Sequence, residues 1–256
     1  MRDHILSETE NIRAGQEALE YLLNRPIAHQ PGLGMIYGAP GLGKTQFSQR
    51  TCIRNNYIYY SAKKADTAKS FIASLNYLLM LRYYPRENPA VHGSRATLFN
   101  RCLDILNENT TLQHIPVLFI DEVDNIIHFP HEEIVGMLRD IVDNSAAVVI
   151  LIGMQDLRKK IIKLNAHYYN RVVYFCEFMP LSKEDVKLMV RDLCEVSLSS
   201  ELIKGISEKA KGDARKVVKQ IRFYEELAGA NGLKNLDGRT ATELMTGRRI
   251  AIGEAK

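Results

Sequence analysis

The feature that most constrains the fold is the segment GAPGLGKT, which begins at Gly38 and lies between a short apolar run, GMIY, and a helical pattern. It matches G-x-x-x-x-G-K-[ST], in which glycines allow a tight turn and a close approach of backbone N–H groups to a phosphate. The N-terminus of the following helix directs further N–H groups at the anion. A strand, this loop and a helix in that order predict a nucleotide-binding α/β protein.

The motif assigns a role to its polar residues. Lys44 is expected to neutralise charge between the β- and γ-phosphates, and the Thr45 hydroxyl is expected to bind Mg²⁺. A glycine-rich turn with a chance lysine is the alternative, but the flanking strand and helix favour the phosphate site. The predicted nucleotide-binding residues are Gly38, Ala39, Pro40, Gly41, Leu42, Gly43, Lys44, Thr45 and Gln46.

A second apolar run, VLFIDE, supplies the acidic half of such a site. Residues 117–120 predict a buried strand, and Asp121 stands at its C-terminal tip, the edge where ligands bind to a parallel sheet. Asp121 is expected to hold Mg²⁺, directly or through water, and Glu122 to polarise the attacking water. A solvated strand end is the alternative for these acids taken alone. Asp124 is assigned a helix-start or turn role. ATP and Mg²⁺ are thus the expected cofactors.

The order of the predicted elements indicates the fold class. Apolar strands alternate with helical patterns as far as RVVYFCEF, and the chain is helical from Ser182, with breaks at Gly212 and GANG. This order predicts an α/β fold, a P-loop parallel sheet flanked by helices and followed by a small α-helical lid. A capping box, S-E-T-E from Ser7, is expected to open the first helix. The expected segments are a helical extension (1–30), the nucleotide-binding core (31–180), and the lid with a basic tail (181–256).

Composition places the chain among ordinary globular proteins, since 46% of its 256 residues are apolar and 25% are charged. A net charge of +4 permits a polyanionic partner without demanding one. The four cysteines have no metal-ligand spacing and are expected to be buried free thiols, which suits a reducing interior. We see no signal peptide and no apolar run of membrane-spanning length, so we expect a cytoplasmic protein with no membrane partner.

Together these features resemble the AAA+ ATPases over nearly the whole chain. The matching elements are the phosphate loop, D-E after the third apolar strand, LIGMQDL at the fourth, a lone Arg in YYNRVVYF, and GDARKVV in the helical tail. In this family the fourth strand ends in a polar sensor of the γ-phosphate. Met154 stands near that position, and Gln155 is the nearest substitute.

The same resemblance implies roles for two arginines. Arg171 corresponds to the arginine finger, which completes the site of the neighbouring subunit and stabilises charge developing in phosphoryl transfer. Arg215, in GDAR, corresponds to the second sensor, which reaches from the lid to the γ-phosphate. The alternative for Arg171 is a surface residue before an edge strand. The alternative for Arg215 is an exposed helical residue beside Lys216 and Lys219.

More narrowly, the stretch AAVVILIGMQDLRKKIIKLNAHYYNRVVYFCEFMPLSKEDV is similar to the transposition helper ATPases: the Mu phage B protein, TnsC and the IstB-like helpers. They share an apolar strand, a Gly soon after it, a helix, an Arg, and a further apolar strand before a polar turn. The resemblance implies a homo-oligomer, a ring or helical filament, that assembles on duplex DNA with ATP bound. It would mark a target site and recruit or activate a transposase, and ATP hydrolysis would drive disassembly. A bacterial or phage-encoded, DNA-associated protein is implied.

In these relatives the DNA-facing residues lie in two loops. The first corresponds to SAKKADTAKS and the second to RYYPRENPAVHGSR. Cations without an array for reading bases suit contacts with the phosphate backbone, whereas solvated loop charges are the alternative. The predicted DNA-binding residues are Lys63, Lys64, Lys69, Arg86 and Arg95.

Two other classes compete with a transposition helper. Replication initiators of the origin-recognition and Cdc6 type, or helicase loaders, share much of the pattern, and some defence ATPases do as well. A winged-helix DNA module would favour an initiator, and we find no room for one after the lid. A small-molecule kinase could use the same phosphate loop, but Glu122, Arg171 and the GDAR helix argue against it.

Overall fold

The computed structural model describes residues 1–2, 4–87, 92–127, 132–164 and 166–246. The predicted basic tail, GRRIAIGEAK, lies outside these residues. The chain divides into two compact units. The sheet unit comprises Ala14–Ala39 and Lys44–Phe178, and the helical unit comprises Met1–Arg13, Pro40–Gly43 and Met179–Lys256.

The sheet unit is built on parallel strands, which confirms the predicted α/β fold. The strands are Leu33–Gly38 (β1), Ile58–Ser61 (β2), Val117–Asp121 (β3), Val148–Gly153 (β4) and Val172–Phe178 (β5). In the described part of the chain they form one five-stranded sheet in the order β2-β3-β4-β1-β5. Every residue of β1, β3 and β4 is buried, as expected for parallel strands covered by helices on both faces. The order sets β4 between the strand before the phosphate loop and the strand ending in Asp121.

Helices connect these strands and cover the sheet. They are Glu10–Leu23 (α1), Lys44–Asn55 (α2), Ala68–Tyr83 (α3), Arg95–Glu108 (α4), Glu132–Asn144 (α5), Leu157–Leu164 (α6) and Ala166–Tyr169 (α7). One continuous core joins the sheet to α3, α4 and α5. Gly15 of α1 packs closely on another helix, since a Cβ there would lie 2.8 Å from the Phe47 ring.

The starts of two helices use different capping groups. Thr67 caps α3: its hydroxyl accepts from the Ser70 N–H, and the Ser70 side chain accepts from the Thr67 N–H. The capping box predicted from Ser7 is wrong. Helix α1 begins at Glu10, and the buried Ser7 hydroxyl has no hydrogen-bond partner among the described residues. The Glu10 N–H donates instead to Asp185 at 2.9 Å, so a carboxylate distant in sequence replaces the local cap.

The helical unit has a core of its own. Its helices are Lys183–Leu193 (α8), Ser200–Ala210 (α9), Ala214–Gly229 (α10) and Gly238–Met245 (α11). The sequence indicated helices alone, but Ser197–Leu198 (β6) and Asn235–Leu236 (β7) also pair as short parallel strands. Two residues are too few to produce a periodic pattern, so this pairing left no sequence signal. None of the helices in the described residues combines the length and the apolar character needed to cross a membrane.

Candidate functional site

Lys44 is the first residue of α2 and its side chain turns back onto the end of β1. Its ammonium donates to the Gly38 carbonyl at 2.7 Å and to the Ala39 carbonyl at 2.8 Å, and the residue is only 9% exposed. The positive charge is therefore fixed beside the backbone that the motif predicts to surround a phosphate.

Glycine is required at two places in this loop. Gly38 has φ +155°, and a Cβ there would lie 2.5 Å from the Phe178 carbonyl oxygen on the paired strand β5. Gly41 has φ +86°, and a Cβ there would lie 2.5 Å from the Asp213 carboxylate. A side chain at either position meets both an unfavourable backbone conformation and a steric clash.

Asp121 ends β3 and is buried, with 3% of its surface exposed. One carboxylate oxygen accepts the Glu122 N–H at 2.7 Å, and the other accepts the Tyr59 hydroxyl of β2 at 2.9 Å. Burial and the nearby Asp121 carboxylate raise the pKa of Tyr59 to about 12, so its hydroxyl stays protonated at neutral pH and donates. Sequence reasoning missed Tyr59, because a tyrosine in a short apolar strand carries no motif signal.

Glu122 follows at once and is exposed. Its backbone lies in the left-handed region, at φ 54° and ψ 34°, which residues with a side chain rarely adopt. Strained backbone of this kind is concentrated at functional sites, where surrounding structure holds it in place.

Asp124 connects the ends of two neighbouring strands. It lies in the 3-10 turn Val123–Asn125, as the turn role predicted, but its side chain reaches β4. One carboxylate oxygen accepts the Met154 N–H at 2.6 Å and the other accepts the Lys160 ammonium at 2.7 Å. The hydrogen bond from Lys160 to Asp124 is the largest cause of the raised pKa of Lys160. Gln155, the predicted γ-phosphate sensor, is exposed at this strand end.

The residues at the ends of β1 and β3 suit a magnesium ion. Mg²⁺ takes oxygen ligands and is usually bound by one or two carboxylates, water and substrate phosphates. The Asp121 carboxylate, held by two donors, and the exposed Thr45 hydroxyl in the first turn of α2 have this chemistry. The donor set of the sheet unit therefore fits the ion expected from the sequence.

Arg171 precedes β5 and is exposed. Its Nε donates to both oxygens of Asp143, at 2.8 and 3.1 Å, near the end of α5. Asp143 thus holds the side chain through Nε rather than through the two terminal nitrogens of the guanidinium.

In the helical unit, the start of α10 is joined to residues of the phosphate loop. The Ala214 N–H donates to the Gly41 carbonyl at 2.8 Å. Asp213 caps α10 by accepting from the Arg215 and Lys216 N–H groups, and its carboxylate is the group next to Gly41. Arg215, the predicted second sensor, is exposed in the first turn of this helix.

The first predicted DNA loop is tied to the end of β3. The Ala62 N–H donates to the Asp121 carbonyl at 2.8 Å, and the Asn125 side chain donates to the Ala62 carbonyl at 2.9 Å. Buried Asp66 then shapes the turn by accepting the Tyr60 hydroxyl at 2.8 Å and the Lys63 N–H at 2.7 Å. Lys63 is exposed on this ordered turn, as is Lys64.

The other predicted DNA contacts are dispersed. Lys69 is exposed in the first turn of α3, next to the Lys63 turn. Arg95 opens α4 and pairs with Glu133 in the first turn of α5. Arg86 is exposed beyond the other end of α3, a helix that spans roughly 24 Å at 1.5 Å per residue. Lys63, Lys64 and Lys69 thus lie on one turn and the helix start that follows it, whereas Arg86 lies beyond the other end of that helix.

Comparison with protein families gives one match. The family profile described as AAA domain matches residues 27–161, just over half of the chain. This range contains the phosphate loop, Asp121, Glu122 and the predicted DNA loops. No curated protein sequence gives a significant match.

Solved structures of the same fold cover almost the entire chain. Aeropyrum pernix ORC2, in ADPNP–ADP complexes, aligns with a TM-score of 0.69 and 14% identity over 97% of this chain and 71% of its own. Pyrobaculum aerophilum CDC6P gives 0.65 and 16% identity, covering 99% and 71%. Aeropyrum pernix ORC1, solved in complex with DNA, gives 0.61 and 15% identity, covering 96% and 68%. At such identities the similarity shows a shared fold.

Proposed function

Since the chain belongs to the AAA domain family, which implies nucleotide hydrolysis, we propose that it hydrolyses ATP with Mg²⁺ and couples this cycle to binding of duplex DNA. Lys44 and the loop N–H groups hold the phosphates, Thr45 and Asp121 bind the metal, and Glu122 activates water. The buried, doubly hydrogen-bonded Asp121 and the fixed ammonium of Lys44 support these roles.

The observation that carries the DNA proposal is the hydrogen bond from Ala62 to the Asp121 carbonyl. It joins the proposed metal site to a turn that presents Lys63 and Lys64 to solvent. The basic turn follows β2, and this hydrogen bond attaches its first residue to the end of β3, where Asp121 would hold the metal. The exposed cations suit phosphate contacts that tolerate most base sequences.

We further propose that the protein acts as a transposition helper. ATP-bound subunits assemble on duplex DNA, Arg171 completes the site of the next subunit, and Arg215 senses the γ-phosphate. The assembly marks a target and recruits or activates a transposase, and hydrolysis releases the subunits. The proposal rests on the sequence resemblance from AAVVILIG onward and on the exposed position of Arg171.

A replication initiator or helicase loader is the second candidate. The observation that favours it is the fold shared with ORC2 and CDC6P over 97% and 99% of this chain. Electron microscopy of the protein on long duplex DNA with a slowly hydrolysed ATP analogue separates the two. Filaments on arbitrary sequence support the helper, whereas particles confined to a preferred sequence support the initiator.

DNA binding itself is tested by a salt titration of ATP-dependent binding to a random-sequence duplex. Lys63→Ala with Lys64→Ala is expected to reduce the slope of log affinity against log salt by about one per lost phosphate contact in each engaged subunit. Basal ATP hydrolysis should stay near wild type. The control pair, Lys204→Ala with Lys209→Ala, removes two exposed lysines of α9 and should leave the slope unchanged. An unchanged slope in the Lys63 and Lys64 variant would remove the DNA surface from this turn.

A further inference from the structure

The Tyr59 hydroxyl donates a hydrogen bond to the buried Asp121 carboxylate at the end of β3. Tyr59 lies in β2, the edge strand next to β3, and the register pairs it with Phe119, two residues before Asp121. Its hydroxyl donates to Oδ2 at 2.9 Å, while Oδ1 accepts the Glu122 N–H. The two bonds together determine how the carboxylate is rotated.

A second contact joins Tyr59 to the helix that follows the phosphate loop. The Gln49 side chain of α2 lies close enough to the Tyr59 hydroxyl to lower the pKa of that group, against the larger effect of burial. Gln49 is one helical turn after Thr45, which the proposed function assigns to the same metal. These contacts therefore connect α2, which carries the proposed ligand Thr45, through Tyr59 of β2 to the other proposed ligand, Asp121, at the end of β3.

We propose that Tyr59 is a positioning residue for the metal: its hydroxyl, supported by Gln49, orients the Asp121 carboxylate toward Mg²⁺. The inference rests on the proposed role of Asp121 as a metal ligand. Ligating carboxylates are generally held by hydrogen bonds from a surrounding layer of residues, and loss of such a partner typically lowers metal affinity about 10- to 100-fold.

The neighbouring tyrosine supplies a matched comparison. Tyr60 is adjacent on β2, and its hydroxyl donates to a carboxylate too, that of Asp66 at 2.8 Å. Tyr60 and Tyr59 point to opposite faces of the sheet, because side chains alternate along a strand. Removal of either hydroxyl deletes one tyrosine–carboxylate hydrogen bond, but only Tyr59 contacts Asp121.

The test measures affinity for a fluorescent ADP analogue as Mg²⁺ is titrated, and again in excess chelator without metal. For Tyr59→Phe we expect the Mg²⁺ midpoint to rise by about tenfold or more, with metal-free nucleotide affinity unchanged. Gln49→Ala, at an exposed helical position, should shift the midpoint in the same direction by less. Tyr60→Phe should leave the midpoint at the wild-type value.

Two results would overturn the proposal. One is that Tyr59→Phe keeps the wild-type Mg²⁺ midpoint. The other is that Tyr59→Phe loses nucleotide affinity equally with and without metal, which would show that the hydroxyl contributes to general packing rather than to the metal site. If Tyr59→Phe does not fold, Gln49→Ala decides, and an unshifted midpoint there counts against the role. Asp121→Asn separates a failure of the Tyr59 proposal from a failure of the proposed metal role of Asp121. If Asp121→Asn retains the full wild-type Mg²⁺ dependence, the metal role of Asp121 itself is wrong.

Discussion

Glu122 has a left-handed backbone at φ 54° immediately after the buried Asp121. The conformation turns the chain out of β3 and leaves the Glu122 side chain exposed at the strand end, where a water-activating carboxylate is needed. A left-handed residue with a Cβ costs about 1–2 kcal/mol, whereas glycine carries no such cost. The residue proposed for catalysis is therefore held in a conformation that opposes stability.

Three substitutions at Glu122 separate conformation from chemistry. Glu122→Gln should keep nucleotide affinity and reduce steady-state hydrolysis by about 10²- to 10⁴-fold, the usual contribution of a general base. Glu122→Gly should have a free energy of unfolding about 1 kcal/mol higher than that of Glu122→Ala, because only alanine retains the strain. Urea unfolding measures this difference. Near-normal hydrolysis in Glu122→Gln would remove the residue from its catalytic role. Equal stability of the alanine and glycine variants would contradict the strain.

Arg171 is proposed to act on the next subunit. Arg171→Ala should bind ATP as wild type does but hydrolyse it poorly, because each site then lacks its neighbour's guanidinium. Mixing Arg171→Ala with Glu122→Gln creates some interfaces that combine an intact Glu122 with an intact Arg171, so hydrolysis should partly return. An Arg171→Ala protein that assembles yet recovers no activity in any mixture would rule out action between subunits.

At the scale of elements, Asp124 joins the turn after β3 to the end of β4. Asp124→Ala leaves the Met154 N–H without its acceptor and should lower the free energy of unfolding by about 1–3 kcal/mol. The matched control is Asp156→Ala, since Asp156 is the other carboxylate paired with Lys160, at 3.2 Å, and is 56% exposed. An exposed ion pair contributes only about 0–1 kcal/mol, so this variant should stay close to wild type. Urea unfolding of both variants measures the difference, and equal losses would show that the Met154 hydrogen bond contributes nothing.

Local signals in the sequence predicted elements well where the signal was long or chemically specific. Uninterrupted apolar runs predicted β3 and β4. The Ser7 capping box failed because Asp185, far along the chain, provides the acceptor at Glu10. Contacts of this kind depend on tertiary structure and have no local pattern. The segment boundaries at residues 30 and 180 stay predictions.

The same distinction applies to the site. The phosphate-loop motif lies within one short segment, whose residue spacing determines its backbone conformation, so Lys44 could be selected from sequence alone. Tyr59 and the cross-strand contact of Asp124 could not, since they depend on which strands are neighbours. A single sequence also could not show whether the two predicted DNA loops reach one surface; the structure places Arg86 beyond the far end of α3 from the Lys63 turn.

At the scale of the whole molecule, the four cysteines are buried free thiols, as the sequence predicted. Burial raises the pKa of Cys52, Cys102 and Cys176 to about 12, and raises that of Cys194. A thiol with that pKa is thiolate in roughly one molecule in ten thousand at pH 8, and the thiolate is the reactive form.

A thiol-specific reagent at pH 8 should therefore react slowly with the native protein and rapidly with four thiols after denaturation. Leu112→Cys provides the control, because Leu112 is fully exposed and its replacement should react at once. Rapid modification of a cysteine in native wild-type protein would contradict the burial of these side chains.

The central proposal is that the bound nucleotide controls binding of duplex DNA, and one equilibrium measurement tests it most directly. Fluorescence anisotropy of a labelled random-sequence duplex is followed as Glu122→Gln protein is added with ATP, with ADP, or with no nucleotide. Because this variant is expected to hold ATP without hydrolysing it, binding should be tight with ATP and weak otherwise, and Lys44→Ala should stay weak throughout. Equal DNA affinity in all three conditions, or no DNA binding with ATP, would contradict the account.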